Sequence, residues 1–450
     1  MHLNTDAIDN SAGVDSSDHE VNIKILCTEA IRRGALPRGE RNTLLASMTD
    51  QVAEKVLAHN YAQTRALTLA ESRAMQDHEA FERLMIRLEN RGVLDREVEG
   101  LPSTSEMEDR QEDRQPLTRP EIAVLMAWTK IVLFDDLVAS ETPDDPYFQD
   151  TLQAYFPDAL HTYDDAMQAH RLKREIISTV LANRIVDMAG PVFFLRMREQ
   201  TEAHSALLVK AFEAASGLIG ARDLQEQIDS LDNKVPADRQ TALQEKLASA
   251  VADLTRSLVQ TENLSIVTEL ISSLAPMTQS IADSLPNSLQ SFKRTRFDSL
   301  SDHLAKDGVP ESLATMLAKA GLLSQAPRLA ILAQQSGQSG GDVFAAYQGV
   351  GDALSLDKLR AKAADRISAM PYWDRLATRR LVSDMEVQQV AATQSALSSG
   401  GIGDWAETNA KSAKDLRAQV KTYISGKPGF AQFALAGDAV RTFMTGLAKT

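Results

Sequence analysis

Apolar residues recur at spacings of three and four along most of the chain, which is the period of helices that bury one face. Three apolar stripes are the clearest. The first consists of Leu44, Leu45, Met48, Val52, Val56 and Leu57. The second consists of Phe81, Leu84, Met85 and Leu88 and ends at Gly92, a predicted C-cap. The third, whose spacing could also form a short coiled-coil seam, consists of Leu243, Leu247, Val251, Leu254 and Leu258.

Start and stop signals divide this pattern into helices. The sequence Ser17 to Glu20 matches a capping box, which predicts a helix after a polar loop at 4–18 that turns at Gly13. Residues 21–26 also alternate like a strand, so a strand stays possible there. Thr118 to Glu121 is a second capping box and predicts a helix to about residue 139. A further helix is predicted over 161–189, before Gly190.

Breaks in the apolar pattern indicate boundaries. Residues 102–116, PSTSEMEDRQEDRQP, contain a single large apolar residue and are predicted to be a solvated linker. Glycines near 337–341, 349–351 and 400–403 predict further breaks. The resulting fold class is mainly α and multi-helical.

Composition and charge exclude several classes of protein. The 450 residues include 48 Lys and Arg against 62 Asp and Glu, a net charge of −14, so we expect no nucleic-acid partner. No stretch reaches the roughly 18–20 continuous apolar residues of a membrane span, and no signal peptide is recognised at the N-terminus. With Cys27 as the single cysteine, we expect a cytoplasmic protein without a membrane partner.

Few motifs carry chemistry. Residues 349–354 and 401–406 match part of a dinucleotide-binding glycine turn, but neither follows a β-branched run. His19 lies among Asp15, Asp18 and Glu20, which could hold a metal or simply complement a helix dipole; we prefer the dipole and assign no metal.

Two other sets of residues have structural explanations. Basic residues at 170–174 could bind an anion, although an exposed helix face paired with Glu175 or Asp165 is the preferred interpretation. Trp128, Trp373 and Trp405 are expected in a core or an interface.

The opening segment is the strongest candidate site. Small residues at 11–13 would let a ligand approach the backbone, and the amides at a helix start suit a carboxylate. A capped turn without a ligand is the competing interpretation.

Residues 4–22, NTDAIDNSAGVDSSDHEVN, resemble the large NAD-specific glutamate dehydrogenases of bacteria. The resemblance continues at 41–50, 92–96, 117–125, 144–157 and 170–177, is good over about 3–260 and is mainly compositional afterwards. It implies that Asn10 lies near the nicotinamide ribose or amide of NAD, and that the Ser17 hydroxyl binds a glutamate carboxylate. Ser11 stands where the short glutamate dehydrogenases usually have alanine.

The resemblance also implies an organisation. Residues 1–35 would be the C-terminal edge of an α/β NAD-binding catalytic region, 36–115 helices that pack on it, and 116–260 and 261–450 two parts of a helical C-terminal domain. No segment matches the family's dinucleotide turn, its lysines or its catalytic aspartate, which are expected in an upstream portion of the same enzyme.

The implied function is NAD-dependent interconversion of glutamate with 2-oxoglutarate and ammonium. The implied enzyme is a homo-oligomer, and this chain is expected to be inactive alone. The alternative is a stand-alone helical interaction or regulatory module that binds partner helices through stripes such as 243–258.

Overall fold

The computed structural model describes residues 3–261, 267–289, 294–295, 297–299, 304, 308–367 and 369–447. Within these ranges every regular element is a helix and none is a strand. The prediction of a mainly α, multi-helical chain is confirmed. The strand alternative for residues 21–26 is wrong, because they lie in the interior of a 22-residue helix.

The first helices are α1 (Asp6–Asp9), α2 (Ser11–Arg32), α3 (Arg41–Ser47), α4 (Thr49–Ser72), α5 (His78–Asn90), α6 (Thr104–Glu112), α7 (Arg119–Val138), α8 (Gln149–Tyr155), α9 (Asp164–Gln168), α10 (Lys173–Ala189), α11 (Phe193–Thr201) and α12 (Ser205–Ile219). Short 3₁₀ helices cover Thr142–Asp144, Pro146–Phe148 and Asp158–Tyr163.

The later helices are α13 (Ala221–Asp229), α14 (Ala237–Val259), α15 (Val267–Ser288), α16 (Glu311–Ala320), α17 (Ala326–Ser336), α18 (Gly340–Leu354), α19 (Leu356–Ile367), α20 (Tyr372–Ser398), α21 (Ile402–Thr408), α22 (Ala410–Tyr423) and α23 (Phe430–Leu447).

The chain forms two compact units. Among the described residues, the first unit holds 3–197, 203–213 and 267–268, and the second holds the remainder. The domain boundaries predicted at 35, 115 and 260 stay predictions, and the last of them borders residues 262–266, which lie outside the described ranges.

In the first unit α2 packs on α4, and α4 and α7 both pack on α10. The core between these helices is fully buried and includes Leu26, Leu67, Leu125 and Leu181. The second predicted apolar stripe is buried throughout, whereas Leu57 of the first stripe is 67% exposed. Apolar periodicity therefore identified the buried face of α5, but only Met48 and Val56 of the first stripe are buried.

The predicted linker at 102–116 is wrong. Residues Thr104–Glu112 form α6, whose single large apolar residue, Met107, is only 1% exposed. The Ser103 hydroxyl accepts the amide of Glu106, whose carboxylate accepts the Ser103 amide. One buried side chain and a capping box are sufficient here because α5 lies alongside and supplies the packing surface.

The predicted helix over 161–189 is interrupted. His170 is 4% exposed between α9 and α10; its Nδ1 accepts the Leu172 amide and its Nε2 lies 3.1 Å from the Asn22 carbonyl oxygen. Both ring nitrogens of His170 are thus occupied by backbone groups, and α10 begins only at Lys173. The predicted end is confirmed, since Gly190 adopts a φ of 84° immediately after α10.

In the second unit α14 packs on α13, α16 and α17. All five apolar residues of the stripe at 243–258 are 0% exposed, so this stripe is core and is not available to a partner helix. Breaks at Gly337 and Gly400 are confirmed by their positive φ values, whereas the break predicted at 349–351 is wrong because those residues lie inside α18.

No single described helix has both the length and the hydropathy that a bilayer requires. Only α10 and α11, a pair bent by 87°, meet both criteria when taken together.

Candidate functional site

Helix α2 carries both residues that the sequence selected, in a geometry that differs from the prediction. The loop expected at 4–18 is helical at Asp6–Asp9 and again from Ser11 onward, so Ser17 lies in the second turn of α2 and is not its N-cap. Asn10 occupies the N-cap position. The start of α2 therefore lies beside Asn10, two turns from the Ser17 hydroxyl.

Contacts with α4 explain why the helix begins early. The Asn60 side-chain amide donates to the Ile8 carbonyl and to the Ser11 hydroxyl, at 3.2 and 2.9 Å. Ile8 itself is 3% exposed. Ser11 thus has a structural function on α4, which explains a serine where the resemblance leads one to expect alanine.

The opposite face of α2 presents an exposed stripe. Asn10, Gly13, Val14 and Ser17 follow the i, i+3, i+4, i+7 spacing of one helical face, and all four are exposed. Val14, in the first turn of α2, is 72% exposed. The stripe combines an amide, bare backbone, an apolar side chain and a hydroxyl, which are groups that bind and orient a ligand.

Gly13 has a local steric reason to be glycine. A Cβ atom at this position would lie 3.2 Å from Asn10 Oδ1, closer than an ordinary van der Waals contact. The glycine therefore leaves room for the Asn10 side chain to lie along the stripe. The Ser17 hydroxyl makes no hydrogen bond within the described part of the chain, whereas the neighbouring Ser16 hydroxyl donates to the Ala12 carbonyl at 2.7 Å.

Behind the stripe, α2 buries a polar cluster against α4 and α8. Asp15 Oδ2 lies 2.8 Å from His59 Nδ1, and Asp15 Oδ1 lies 3.7 Å from His19 Nε2. His19 is fully buried, and its ring stacks on Tyr155 with a centroid distance of 4.4 Å. We call Asp15, His19 and His59 the α2–α4 cluster.

Tyr155 links this cluster to a second layer of polar groups. Its hydroxyl donates to Asp18 Oδ2 at 2.9 Å and accepts from Asn22 Nδ2 at 2.8 Å. Asn22 Nδ2 also lies 3.3 Å from Asp18 Oδ1. The three groups fix the orientation of the ring on which His19 stacks.

Burial and the neighbouring charges determine protonation in the cluster. Burial lowers the pKa of His19 below its ordinary value of 6.5, against the opposing charge of Asp15, so the ring is neutral at pH 7. Partial burial would raise the pKa of Asp15, but its hydrogen bond and charge interaction with His59, together with His19, hold that pKa below 3.8. Burial also raises the pKa of the Tyr155 phenol, which stays protonated.

The acidic set expected around His19 is only partly assembled. Asp15 is in the cluster, but Asp18 bonds to Tyr155 and exposed Glu20 pairs with Lys24. His59 and Tyr155 are the partners that the sequence did not reveal, because they lie 44 and 140 residues away from Asp15 along the chain.

The remaining candidates are structural. The fragments at 349–354 and 401–406 fall largely within α18 and α21, so neither forms a strand-to-helix turn. Arg174 donates to the Val138 and Ser140 carbonyls and pairs with Asp144, so the preferred pairing with Glu175 or Asp165 is wrong. Of the tryptophans, Trp405 is buried, Trp128 donates to Glu99 and Trp373 is 70% exposed.

A shallow cleft of about 410 Å³ continues along α2 beyond the stripe. One side is formed by Val21, Lys24, Ile25, Thr28 and Glu29 of α2, and the other by Ala169, His170 and Arg171. The cleft and the stripe therefore lie along the same helix, α2.

Comparison with known proteins gives two family matches. The family described as "Glutamate dehydrogenase, C-terminal" matches residues 114–442, and the family described as "Bacterial NAD-glutamate dehydrogenase, catalytic domain" matches residues 1–70. The match to residue 442 corrects the expectation that similarity is mainly compositional after residue 260. Both Asn10 and Ser17 fall within the segment that matches the catalytic-domain family.

Three curated relatives carry the name NAD-specific glutamate dehydrogenase. The relative from Halomonas elongata is 38% identical over 90% of the chain, and that from Pseudomonas aeruginosa is 35% identical over 96%. The relative from Mycobacterium tuberculosis is 34% identical over 69%. The matched segments are 25%, 27% and 19% of these relatives, so the chain spans about a quarter of the length of the first two.

Proposed function

The chain belongs to the bacterial NAD-glutamate dehydrogenase family, and from this premise we propose that it serves as the C-terminal portion of an NAD-dependent glutamate dehydrogenase. The proposed reaction converts L-glutamate, NAD and water to 2-oxoglutarate, ammonium and NADH. Within it, the exposed stripe of α2 forms one wall of the cleft in which glutamate and NAD meet.

The observation that carries this proposal is the exposed stripe itself. Asn10, Gly13, Val14 and Ser17 face solvent from one side of a helix whose other side is firmly packed. A helix that exposes a valine, a glycine and an unbonded hydroxyl in register is suited to contact a ligand or another part of a larger enzyme.

We assign binding roles to the two residues. The Ser17 hydroxyl would donate a hydrogen bond to a glutamate carboxylate, and the Asn10 amide would contact the nicotinamide ribose or amide of NAD. Neither group can act as a general base at neutral pH, so both position substrate and cofactor.

The hydride acceptor and the acid–base groups belong to other parts of the proposed enzyme. Oxidative deamination requires a nucleotide held against the substrate Cα and a base with a supporting lysine. We propose that these come from an upstream portion of the same enzyme and that the 450-residue chain is inactive alone. We further propose a cytoplasmic homo-oligomer that functions in glutamate catabolism.

The test is a chimaera in which this chain replaces the matched quarter of the Halomonas elongata relative. Ser17→Ala should raise KM for glutamate by about 10-fold or more, because a hydrogen bond to a charged group contributes about 1.5–3 kcal/mol. KM for NAD should change little. The matched control is Ser16→Ala, since that hydroxyl bonds only to the helix backbone among the described residues.

Two results would overturn the proposal. An unchanged KM for glutamate in the Ser17→Ala chimaera would remove Ser17 from the substrate site. Dehydrogenase activity of the isolated chain would contradict the assignment of the catalytic groups to an upstream portion.

A further inference from the structure

The α2–α4 cluster holds donor atoms that the proposed dehydrogenase function does not use. Asp15, His19 and His59 each offer one ligand atom, and these three atoms lie within 4.8 Å of one another. Asp15 and His19 are four residues apart on one face of α2, and His59 faces them from α4. Two packed helices therefore bring the three donors together.

His19 is the independent sign that the cluster accepts a ligand. Its side chain is 0% exposed, and neither ring nitrogen hydrogen-bonds to any described residue. Buried imidazoles are normally hydrogen-bonded, because the loss of water leaves an unpaired polar atom. The Nε2 atom of this ring faces Asp15, whose Oδ1 lies 3.7 Å away, beyond hydrogen-bond distance.

The donor chemistry selects the class of ion. Two imidazole nitrogens and one carboxylate oxygen suit Zn²⁺ and related late first-row divalent metals. Ca²⁺ and Mg²⁺ prefer sites made only of oxygen. Ligands about 2.1 Å from a tetrahedral metal are about 3.4 Å apart. Asp15 Oδ2 and His59 Nδ1, now 2.8 Å apart, would separate slightly, and donor atoms as far apart as 4.8 Å would approach by roughly an ångström.

The surroundings suit such an ion. Tyr155 stacks on His19 and is itself held by Asp18 and Asn22, which limits rotation of the buried ring. Lys55, the neighbouring cation, donates to the Ala154 carbonyl at 2.6 Å and is thereby held by the backbone of α8. The His59 side chain is 43% exposed, which gives an ion access from solvent.

We propose that Asp15, His19 and His59 form a binding site for a divalent transition-metal ion of the Zn²⁺ class. Three protein ligands leave a fourth position for water. The ion joins α2 to α4 directly behind the stripe that carries Asn10 and Ser17, so its first effect is to stabilise that helix pair.

The test is a Zn²⁺ titration of the chelator-treated 450-residue chain by calorimetry, with Co²⁺ absorption as a second readout. We expect one bound equivalent, the visible bands of tetrahedral Co²⁺ and a higher melting temperature with Zn²⁺. Asp15→Asn and His59→Gln should each weaken Zn²⁺ binding by more than about 100-fold, because loss of even an outer partner costs 10–100-fold.

His161→Gln is the matched control, because it removes a histidine of the same unit that lies outside the cluster. It should leave Zn²⁺ affinity unchanged. Circular dichroism establishes whether each variant is folded. If Asp15→Asn does not fold, His59→Gln still tests the proposal, because the His59 side chain is half-exposed.

The proposal is overturned if the folded chain binds no Zn²⁺ saturably. It is also overturned if the cluster variants retain wild-type affinity, or if His161→Gln loses as much affinity as they do. Because no readout depends on dehydrogenase activity, failure here is separate from failure of the proposed function.

Discussion

Helices α2 and α14 are almost equal in length, 22 and 23 residues, but their apolar and polar residues are distributed differently. Helix α14 places its five stripe residues, four leucines and Val251, in the core at 0% exposure. The first half of α2 exposes Val14 and buries His19 completely. The second half of α2 buries Ile23, Leu26 and Cys27, so only its first half departs from the pattern of the α14 stripe.

The two helices therefore contribute to the stability of their units in different ways. An apolar stripe such as that of α14 stabilises its unit through burial alone. The buried polar groups of α2 require hydrogen-bonding partners or a bound ligand, because an unpaired group loses its hydrogen bonds to water without replacement. Their energetic contribution is smaller and their geometric requirements are stricter.

Truncation of one apolar side chain on each helix tests this difference most directly. Leu247→Ala in α14 should lower the free energy of unfolding by about 2–5 kcal/mol, because it leaves a cavity in a closed core. Val14→Ala on the exposed stripe should change it by less than about 0.5 kcal/mol. Urea denaturation followed by circular dichroism measures both. Equal losses would show that Val14 is packed in solution.

A smaller effect is expected from the polar layer of α2. Tyr155→Phe removes a hydroxyl that donates to Asp18 and accepts from Asn22, and it should cost about 1–3 kcal/mol. The control is Tyr163→Phe, since the Tyr163 hydroxyl has no hydrogen bond among the described residues. The same denaturation assay applies. If the two variants are equally stable, the layer around Tyr155 does not hold α2.

The smallest effect concerns pH. Burial lowers the pKa values of His19 and His170 below 6.5, so between that value and the folded pKa the unfolded chain binds more protons. Stability is therefore complete above about pH 6.5 and falls as the pH drops toward 5, by at most about 1.4 kcal/mol per pH unit for each group.

Urea denaturation at several pH values, with a chelator present, measures this slope. His170→Gln should make it shallower, because glutamine can still donate to the Asn22 carbonyl but does not titrate. A slope that is identical in the unmodified chain and in His170→Gln would contradict the assignment.

Much of the fold could be predicted because local signals determine it. The capping glutamate Glu121 accepts the Thr118 amide at 2.7 Å as the motif requires, and Gly92 and Gly190 end helices with positive φ. The apolar stripe at 243–258 predicted the core of α14. These features depend on residues a few positions apart, so one sequence contains the information.

The candidate site was only partly predictable because distant residues complete it. Ser17 was assigned as an N-cap from the capping-box pattern, but Asn60 of α4 holds Ser11 and allows the helix to begin two turns earlier. Likewise, His59 and Tyr155 join His19 only through packing of α4 and α8 on α2. Contacts between positions so far apart leave no local pattern.

Cys27 lies on the buried face of α2 at 0% exposure, and burial raises the pKa of its thiol. It is also the single cysteine of the 450 residues. The Cys27 thiol can therefore be alkylated only when α2 moves away from its neighbours. The rate at which this thiol is labelled therefore measures how often α2, which carries Ser17 and has Asn10 as its N-cap, separates from its neighbours. No engineered cysteine is needed.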